Sequence, residues 1–433
     1  MSFSPRFVKL SEVTTLRNGA GIKQENFTDE SNGIPLVKVS NFTQNSINMS
    51  DLTMVNFDHA QKWKSHLIQR GNVLIATVGS WPPNWSSVVG KVVRAPQNAE
   101  GSIQNQNTCC LIPTEELHEG YLYYKLKDPK FLEWVVNIAQ GSANQARVPV
   151  KKLGEYQFEL PPMEVQKSIA DALESLDFKI SANSQTNQTL EEMAQAIFKS
   201  WFVDFDPVKA KMNGEQPEGM DAATASLFPE KLVSDTGLPE GWIQGSIADI
   251  AKLNGQSWTK KKHPEQVHYV DLANTKNGVI ESITTYDFED SPSRARRVLK
   301  DGDTIVGTVR PGNRSFAYIG ETEKPLTGST GFAVLSPKEE LWSSFIYLAT
   351  TNDDSIDEYA RLADGGAYPA IKPAIVAETA CAIPSEDIAK KFWEITEPML
   401  KKAHQNRQEN EELAALRDTL LPKLLSGELS LSD

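Results

Sequence analysis

The sequence predicts an α+β (mixed α/β) fold in which two similar globular domains alternate with two long helices. Three observations lead to this prediction. A heptad seam runs through five repeats in residues 162–202, the last stretch of the chain carries the same seam, and segments of the first half recur 223 or 224 positions later. A heptad repeat is typical of a helix that packs lengthwise on another helix. We therefore expect an antiparallel coiled coil within an internal pseudo-twofold repeat.

The first predicted domain comprises residues 1–160. Its Val- and Ile-rich segments 72–79 and 89–95 are typical of strands. Residues 116–139 are predicted to be helical with a break near Pro129, and the stretch that follows is predicted to be a loop and then an extended segment.

The first long helix is assigned to residues 161–205. Its seam advances by four and three residues in alternation, and two asparagines occupy seam positions. A polar seam residue costs stability but fixes register and partner choice. The seam residues are Ile169, Leu173, Leu176, Ile180, Asn183, Asn187 and Leu190.

Residues 206–239 are rich in Pro, Gly and acidic residues and are predicted to be a linker that wraps a surface. The second domain is assigned to residues 240–384 because its segments parallel those of the first. For example, Pro337 lies 224 positions after Pro113 in similar surroundings.

The second long helix and a C-terminal tail are assigned to residues 385–433, and Pro398 predicts a kink or a late helix start. Two seam asparagines recur 223 positions after those of the first helix. The asparagine pairs should meet near the middle of an antiparallel helix pair. The seam residues are Met399, Asn406, Asn410, Leu413 and Leu420.

Composition favours a cytoplasmic protein. The apolar runs are too short for a membrane span, and the first residues lack the apolar segment of a signal peptide. Three cysteines, two of them adjacent, give neither a disulfide framework nor a zinc site. The net charge of −13 does not exclude nucleic acid, because residues 1–160 carry 16 basic and 14 acidic groups whereas residues 161–238 carry 6 and 13.

The predicted geometry suggests two DNA contacts. Domains held apart by paired helices could read two sites roughly one to two DNA turns apart, and the sites should differ because the domains differ in sequence. The alternative is a two-headed adaptor, in which the helical spacer carries two protein-binding modules without DNA specificity.

Three stretches resemble the specificity (S) subunits of type I restriction-modification systems, the HsdS family. They are LPPMEVQKSIADALESLDFKI at 160–180, FKSWFVDFDPVKAKMNGEQPEGM at 198–220 and LPKLLSGEL at 421–429. The resemblance implies a non-catalytic subunit that binds a bipartite, asymmetric site on double-stranded DNA through two target recognition domains. It also implies two modification subunits that methylate adenine at N6 with S-adenosylmethionine, and restriction subunits that use ATP. A degenerate or phase-variable member without an active partner is a further alternative.

The chain itself carries no motif for catalysis. It has neither an Asn-Pro-Pro-aromatic methyltransferase motif nor a P-loop, and its six histidines lack metal-ligand or triad spacing. We therefore expect no catalytic residue, no metal and no cofactor on this chain.

Candidate DNA contacts are basic, amide and aromatic side chains in predicted loops, where they could position phosphates or read bases; the alternatives are a solvated surface and, for tryptophan, packing. They are Trp81, Asn84, Gln145, Arg147, Lys260, Lys261, Lys262, Arg294, Arg296, Arg297, Arg310, Arg314, Tyr368 and Lys372. Apolar residues outside the seam are candidates for docking a partner's helices, with packing against the adjacent domain or linker as the alternative. They are Phe178, Phe198, Phe202, Trp393 and Leu424.

Overall fold

The structure is a computed structural model that describes residues 6–29, 32–81, 89–142 and 145–431. The chain forms two compact units: Met1–Ile180 with Glu411–Asp433, and Ser181–Asn410. This division places part of each long helix in each unit. The domain bounds derived from the sequence remain predictions.

The first unit contains thirteen described strands and five complete helices. The strands are β1 (Arg6–Lys9), β2 (Thr14–Asn18), β3 (Phe27–Thr28), β4 (Ile34–Val37), β5 (Thr53–Val55), β6 (Val73–Ala76), β7 (Val78–Gly79), β8 (Val92–Arg94), β9 (Ile103–Gln104), β10 (Thr108–Pro113), β11 (Gln140–Ser142), β12 (Gln145–Arg147) and β13 (Gln157–Leu160). The helices are α1 (Leu10–Val13), α2 (Phe57–Ala60), α3 (Glu119–Lys127), α4 (Pro129–Ile138) and α5 (Val150–Leu153), and the long helix α6 (Met163–Phe202) begins here.

An antiparallel sheet of order β2-β10-β6-β8 forms the centre of the first unit. A second sheet has the order β3-β5-β4-β9, in which β4 and β9 are parallel. A small antiparallel sheet joins β11, β12 and β7. Finally, β1 pairs with β13, so the strand that enters the domain lies beside the strand that leads into α6.

The linker follows α6 in the chain and leads into the strands and helices of the second domain. The linker contains α7 (Asp206–Met212) and α8 (Ala222–Leu227). The strands that follow are β14 (Ile243–Ser246), β15 (Ala251–Leu253), β16 (Gln266–Val270), β17 (Thr275–Lys276), β18 (Val279–Ile280), β19 (Thr284–Asp287), β20 (Ala295–Val298), β21 (Thr304–Gly307), β22 (Phe316–Tyr318), β23 (Leu326–Ser329), β24 (Phe332–Pro337) and β25 (Ala380–Ile383). The helices are α9 (Ile247–Ile250), α10 (Ser343–Thr351), α11 (Asp353–Leu362), α12 (Pro373–Ala377) and α13 (Glu386–Ser426).

The second unit repeats the central sheet of the first and the strand pair that joins the start of the domain to its end. Its central sheet has the order β15-β24-β21-β22, its second sheet the order β19-β16-β23-β20, and β14 pairs with β25. The spacing recurs as well: β24, α10 and α11 each begin 224 positions after β10, α3 and α4. The predicted internal repeat is therefore confirmed.

The break predicted near Pro129 is confirmed and has a local cause. A residue before proline is disfavoured in helical geometry, so α3 ends before Asp128. The Asp128 side chain then accepts a hydrogen bond from the backbone N–H of Lys130 and caps α4. Asn352 caps α11 in the same way, through the N–H of Ser355. The stretch after α4, predicted to be a loop, instead contains the β11–β12 pair and α5, because backbone hydrogen bonds to β7 order it.

The seam asparagines meet as predicted, and both contacts lie in the second unit. The Asn183 Nδ2 donates to Asn410 Oδ1 at 2.9 Å, and the Asn406 Nδ2 donates to Asn187 Oδ1 at 2.8 Å. The earlier asparagine of α6 contacts the later asparagine of α13 and the reverse, so the two helices run antiparallel there. In each pair one amide N–H thus satisfies the oxygen of the other asparagine, which reduces the cost of burying these polar groups in the seam.

A late helix start at Pro398 is wrong, because α13 is continuous from Glu386 to Ser426. Proline in a helix interior costs roughly 3 kcal/mol, and side-chain hydrogen bonds from the domain hold the helix on its N-terminal side. Buried Glu397 accepts from the Tyr318 hydroxyl at 2.6 Å and from the Ser343 hydroxyl at 2.9 Å. The Thr396 hydroxyl contacts that of Ser344 at 2.7 Å.

The linker packs more closely than its composition predicts. Val208 and Phe228 are buried in the core of the second unit. The rings of Phe228 and Trp201 meet edge to face with centroids 4.9 Å apart, which fixes the linker against the end of α6.

Candidate nucleic-acid interface

In the second unit, three chain segments lie side by side beyond the end of β21. The Thr308 N–H donates to the Gly331 carbonyl at 2.9 Å, and the Ile371 N–H donates to the Thr308 carbonyl at 2.9 Å. One step further, the Arg310 N–H donates to the Pro369 carbonyl at 2.7 Å. This ladder brings the sequence candidate Arg310 close to the candidates Tyr368 and Lys372, which lie 58 and 62 positions later in the chain. Tyr368 and Lys372 are exposed.

Arg310 is held in a defined position at this ladder. Its backbone has φ of 48°, in the left-handed region that non-glycine residues seldom adopt. Its guanidinium carbon lies 4.5 Å from the centroid of the Tyr368 ring, and its Nη2 donates to the Ala367 carbonyl at 2.8 Å. Arg310 itself is exposed, and Tyr368 is 70% exposed. Thus two exposed side chains are ordered by contact with each other.

Arg314 lies at the other end of the same turn, but its charge is already paired. Its Nη2 contacts the Asp353 carboxylate at 2.6 Å, and its Nε donates to Asn277 Oδ1 at 2.9 Å. An arginine with a neutralised charge and two occupied donors is poorly placed to read a base. The structure therefore distinguishes the two arginines that the sequence proposed together.

The two basic clusters of the sequence also lie together. The Trp258 N–H donates to the Arg296 carbonyl at 2.8 Å, and the segment ends in a turn in which Thr259 pairs with Lys262. On the other side, the Arg294 carbonyl accepts from the Thr330 N–H at 2.8 Å, next to the ladder. We call the exposed side chains of this region the basic edge; they are Lys260, Lys261, Lys262 and Arg294.

Arg296 and Arg297 belong to the same clusters but are half-buried. The Arg296 guanidinium lies 4.7 Å from the centroid of the Phe288 ring, and the His263 ring stacks on Phe288 with centroids 3.7 Å apart. The Arg297 Nη1 donates to the Ser257 hydroxyl, and burial lowers the pKa of this guanidinium. These two arginines hold the basic edge in place rather than extend it.

The first unit repeats the ladder. The Val148 N–H donates to the Thr77 carbonyl at 2.8 Å, and the Thr77 N–H donates to the Asn107 carbonyl at 2.9 Å. The candidates Gln145 and Arg147 lie on β12, exposed on either side of a fully buried alanine.

Trp81 has a structural role in this region. It is half-buried against the core, and its Nε1 donates to the Ser142 carbonyl at 2.8 Å. Trp81 thus packs against the core, which is the alternative to a DNA contact for this tryptophan. Asn84 lies outside the described residues.

The ladder residues themselves were not identified from the sequence. Thr77, Thr308, Asn107 and Gly331 contribute backbone groups, which leave little trace in residue type. The repeat could have found them, since Gly331 lies 224 positions after Asn107.

Most of the proposed docking residues are covered by the chain itself. Phe198 and Phe202 are buried in the core of the second unit and Leu424 in that of the first. This corrects their assignment: their off-seam positions face the chain's own domains. Trp393 is half-buried, and Phe178 is 77% exposed.

Within the described ranges, no group of three or more His, Cys, Asp or Glu side chains is placed to hold a metal ion. Burial raises the pKa of the Cys110 thiol to about 11 and that of Cys109 to about 12, which keeps both thiols protonated at neutral pH. In the same part of the chain, no helix is both long and apolar enough to cross a membrane.

Comparison with known proteins agrees with this architecture. The family described as type I restriction modification DNA specificity domain matches residues 6–192. The chain is 25% identical over 357 residues to the specificity subunit of the type I restriction enzyme HindI of Haemophilus influenzae, covering 71% of this chain and 77% of that protein. It is 24% identical to the MjaIX specificity subunit of Methanocaldococcus jannaschii, covering 76% of this chain and 73% of that protein.

The fold is also similar to a solved structure. The S subunit of a type I system from M. genitalium superimposes with a TM-score of 0.56 at 17% identity, covering 97% of this chain and 96% of that one. The chain therefore shares the fold of that S subunit, a repeated α+β domain combined with two long helices. The chain is thus similar over more than two thirds of its length to named type I specificity subunits, and residues 6–192 match the model of their DNA specificity domain.

Proposed function

We propose that this chain confers DNA sequence specificity on a type I restriction-modification complex by binding a bipartite, asymmetric site. The first recognition domain, residues 1–160, binds one half-site, and the second, residues 240–384, binds the other. The duplicated ladder is the observation that carries this proposal. In each domain it orders exposed side chains of the types that contact phosphates and base edges: Gln145 and Arg147 in the first, Arg310 and Lys372 in the second.

The two domains present these side chains from different strands, which supports an asymmetric site. In the first domain Arg147 lies on β12, where it pairs with Val78. In the second domain Arg310 lies on the segment that follows β21, which corresponds to β7 of the first domain. Gly79 of β7 occupies the position that corresponds to Arg310. Equivalent backbones therefore carry their charges at different places, so the half-sites should differ in sequence.

The remaining partners of the proposed complex follow from the resemblance to type I specificity subunits. We propose that two modification subunits, which methylate adenine at N6, bind the helical region, and that restriction subunits join the complex. S-adenosylmethionine and ATP would then be bound by those subunits and not by this chain. Among the apolar residues named from the sequence, Phe178 on α6 is the most exposed and is our candidate for a docking contact.

The proposal is tested by mapping N6-methyladenine in the native genome with and without this gene. Loss of methylation at one split, asymmetric motif upon deletion is the expected result. An unchanged map, in cells where the modification subunits are active, would exclude the DNA-specificity role and favour the adaptor. Binding of the purified chain to proteins but not to DNA would then be expected.

A further inference from the structure

We propose that Arg310 is a guanine-reading side chain of the second recognition domain and that Tyr368 is its positioning residue. The inference rests on the proposed DNA-binding function and goes beyond it by assigning one base to one residue. It starts from the contacts at the ladder, where Arg310 and Tyr368 are the exposed pair.

Within the part of the chain that the structure describes, the Arg310 guanidinium keeps one pair of parallel N–H donors free to contact a base; we call this pair the reading edge. A guanidinium has five N–H donors, and two of its edges each present a pair of parallel donors, one shared between Nε and Nη2 and one between Nη1 and Nη2. The contact with the Ala367 carbonyl uses one Nη2 hydrogen. Each of the two Nη2 hydrogens belongs to a different edge, so the edge that does not contact Ala367 keeps both of its donors. Among the described residues, Nε and Nη1 of Arg310 have no acceptor.

A free two-donor edge selects a particular base. In the major groove, guanine presents two adjacent acceptors, O6 and N7, whereas adenine, cytosine and thymine do not present such a pair. A phosphate also accepts two parallel hydrogen bonds, so the test must separate base reading from a phosphate contact.

The backbone around Arg310 is built to hold the side chain. Asp364 and Ala370 exchange two backbone hydrogen bonds, at 2.8 and 3.1 Å, and close the loop that carries Tyr368. Within the loop, Gly365 has φ of +123°, a conformation that other residues rarely adopt. Arg310 itself is held at positive φ by the ladder and by the Asn313 N–H, which donates to its carbonyl at 2.8 Å. Strained backbone persists where the surroundings determine it, and it often marks a functional residue.

Tyr368 removes conformational freedom from Arg310 before any ligand arrives. An exposed arginine has several rotatable bonds, and ordering such a side chain upon binding lowers affinity. The cation–π contact with the Tyr368 ring and the hydrogen bond to Ala367 already order the Arg310 side chain in the free protein, so binding loses less conformational entropy. Since the ring makes this contact through its face, phenylalanine should replace tyrosine and alanine should not.

Arg314 provides a matched control. It lies in the same turn, its backbone also has positive φ at 59°, and substitution by alanine imposes the same backbone cost. However, its donors contact Asp353 and Asn277. A change in the recognised motif that appears in Arg310→Ala and not in Arg314→Ala is therefore specific to the reading edge.

The experiment uses the full chain together with its modification subunits, in cells without other adenine-N6 methylation, and reads the methylated motif by sequencing. We expect Arg310→Ala to relax one guanine of one half-site, with a roughly 10- to 100-fold loss of discrimination there and no change elsewhere. Tyr368→Ala should relax the same position partly, whereas Tyr368→Phe and Arg314→Ala should keep the wild-type motif.

Each other outcome is decisive. An unchanged motif in Arg310→Ala overturns the assignment, while the wild-type motif itself still supports the proposed function. If Arg310→Ala abolishes methylation, Arg310→Gln decides: glutamine offers an amide donor and an acceptor in place of two parallel donors, so recovery of a motif changed at one position supports base reading. Recovery of the full motif indicates a phosphate contact and overturns the proposal, as does failure to recover while Arg314→Ala remains active. Absence of any motif with the wild-type chain would instead refute the proposed function.

Discussion

Asn406 donates a hydrogen bond to Asn187 at 2.8 Å, and both side chains are at least nine-tenths buried in the helix seam. The Asn406 amide N–H thus satisfies the Asn187 oxygen at a seam position that coiled coils usually fill with an apolar residue. Such a pair specifies register, because any shift of one helix along the other would bury an unpaired amide.

Replacing one member of this pair should destabilise the protein. Asn406→Leu leaves the Asn187 amide buried without its donor, which costs about 1–3 kcal/mol. The double variant Asn187→Leu/Asn406→Leu removes both polar groups, and we expect it to be at least as stable as the wild type. Denaturant unfolding of the full chain measures the difference. Gln185→Leu, on the exposed side of the same helix, is the control; equal losses in the single and double variants would contradict this account.

Arg417 should be essential to the stability of the first unit. Its Nη1 contacts Asp177 Oδ1 at 2.6 Å, the Tyr124 hydroxyl donates to the other oxygen of Asp177 at 2.7 Å, and the Arg417 side chain is 10% exposed. Arg417→Met leaves a partly buried carboxylate without its cation, so we expect a loss of about 3 kcal/mol. Tyr124→Phe, which removes one hydrogen bond, should lose only about 1 kcal/mol. Denaturant unfolding of both variants measures the two losses in the free energy of unfolding. A smaller loss for Arg417→Met than for Tyr124→Phe would contradict this prediction.

Stability should depend on pH through Asp303. Burial raises the pKa of this carboxyl to about 6, although its Oδ2 accepts a hydrogen bond from the Lys300 N–H. Because the folded-state pKa exceeds the unfolded value near 3.9, protonation favours the folded state. The contribution is therefore complete below about pH 4 and is lost as the pH rises through about 6, with a total of about 3 kcal/mol.

Asp303→Asn isolates this effect, since the amide cannot ionise but its oxygen can still accept from Lys300. The stability of the wild type relative to the variant should fall by about 2 kcal/mol between pH 4 and pH 7, as measured by unfolding at each pH. A difference that does not change with pH would show that Asp303 does not titrate in this range.

The basic edge should contribute affinity without sequence preference. Replacing Lys260, Lys261 and Lys262 by glutamine should weaken DNA binding similarly for all sequences. It should also reduce the slope of log K against log salt by about 1 for each phosphate that these lysines neutralise in the wild type. Fluorescence titration at several salt concentrations measures the slope. The control removes the same charge from exposed lysines elsewhere, Lys209, Lys231 and Lys390; an equal slope change there would show a general charge effect.

The fold was largely predictable because periodic patterns survive in the sequence. The heptad seam predicted α6 and α13, and the repeated asparagines predicted contacts that are present between residues 183 and 410 and between 187 and 406. Pro398 misled the prediction, since local propensity cannot register the hydrogen bonds that Glu397 makes to a distant domain.

The site was less predictable because residue type does not reveal exposure. Arg310 and Arg314 are equivalent in the sequence, and only the position of Asp353 distinguishes them. Likewise, Phe198 and Phe202 lie outside the seam, but they are covered by Phe345 and Phe392, whose rings come from other parts of the second unit. Long-range packing decided both cases.

Each recognition domain begins and ends on one strand pair, β1 with β13 and β14 with β25. A domain is thereby joined to the rest of the chain at a single place, and the register of that pair does not depend on the loops between. Recombination between two genes of this type, with crossovers in the segments that encode these strands, would transplant a complete domain and leave the helices intact. Under the proposed function, one such event would join a new pair of half-sites.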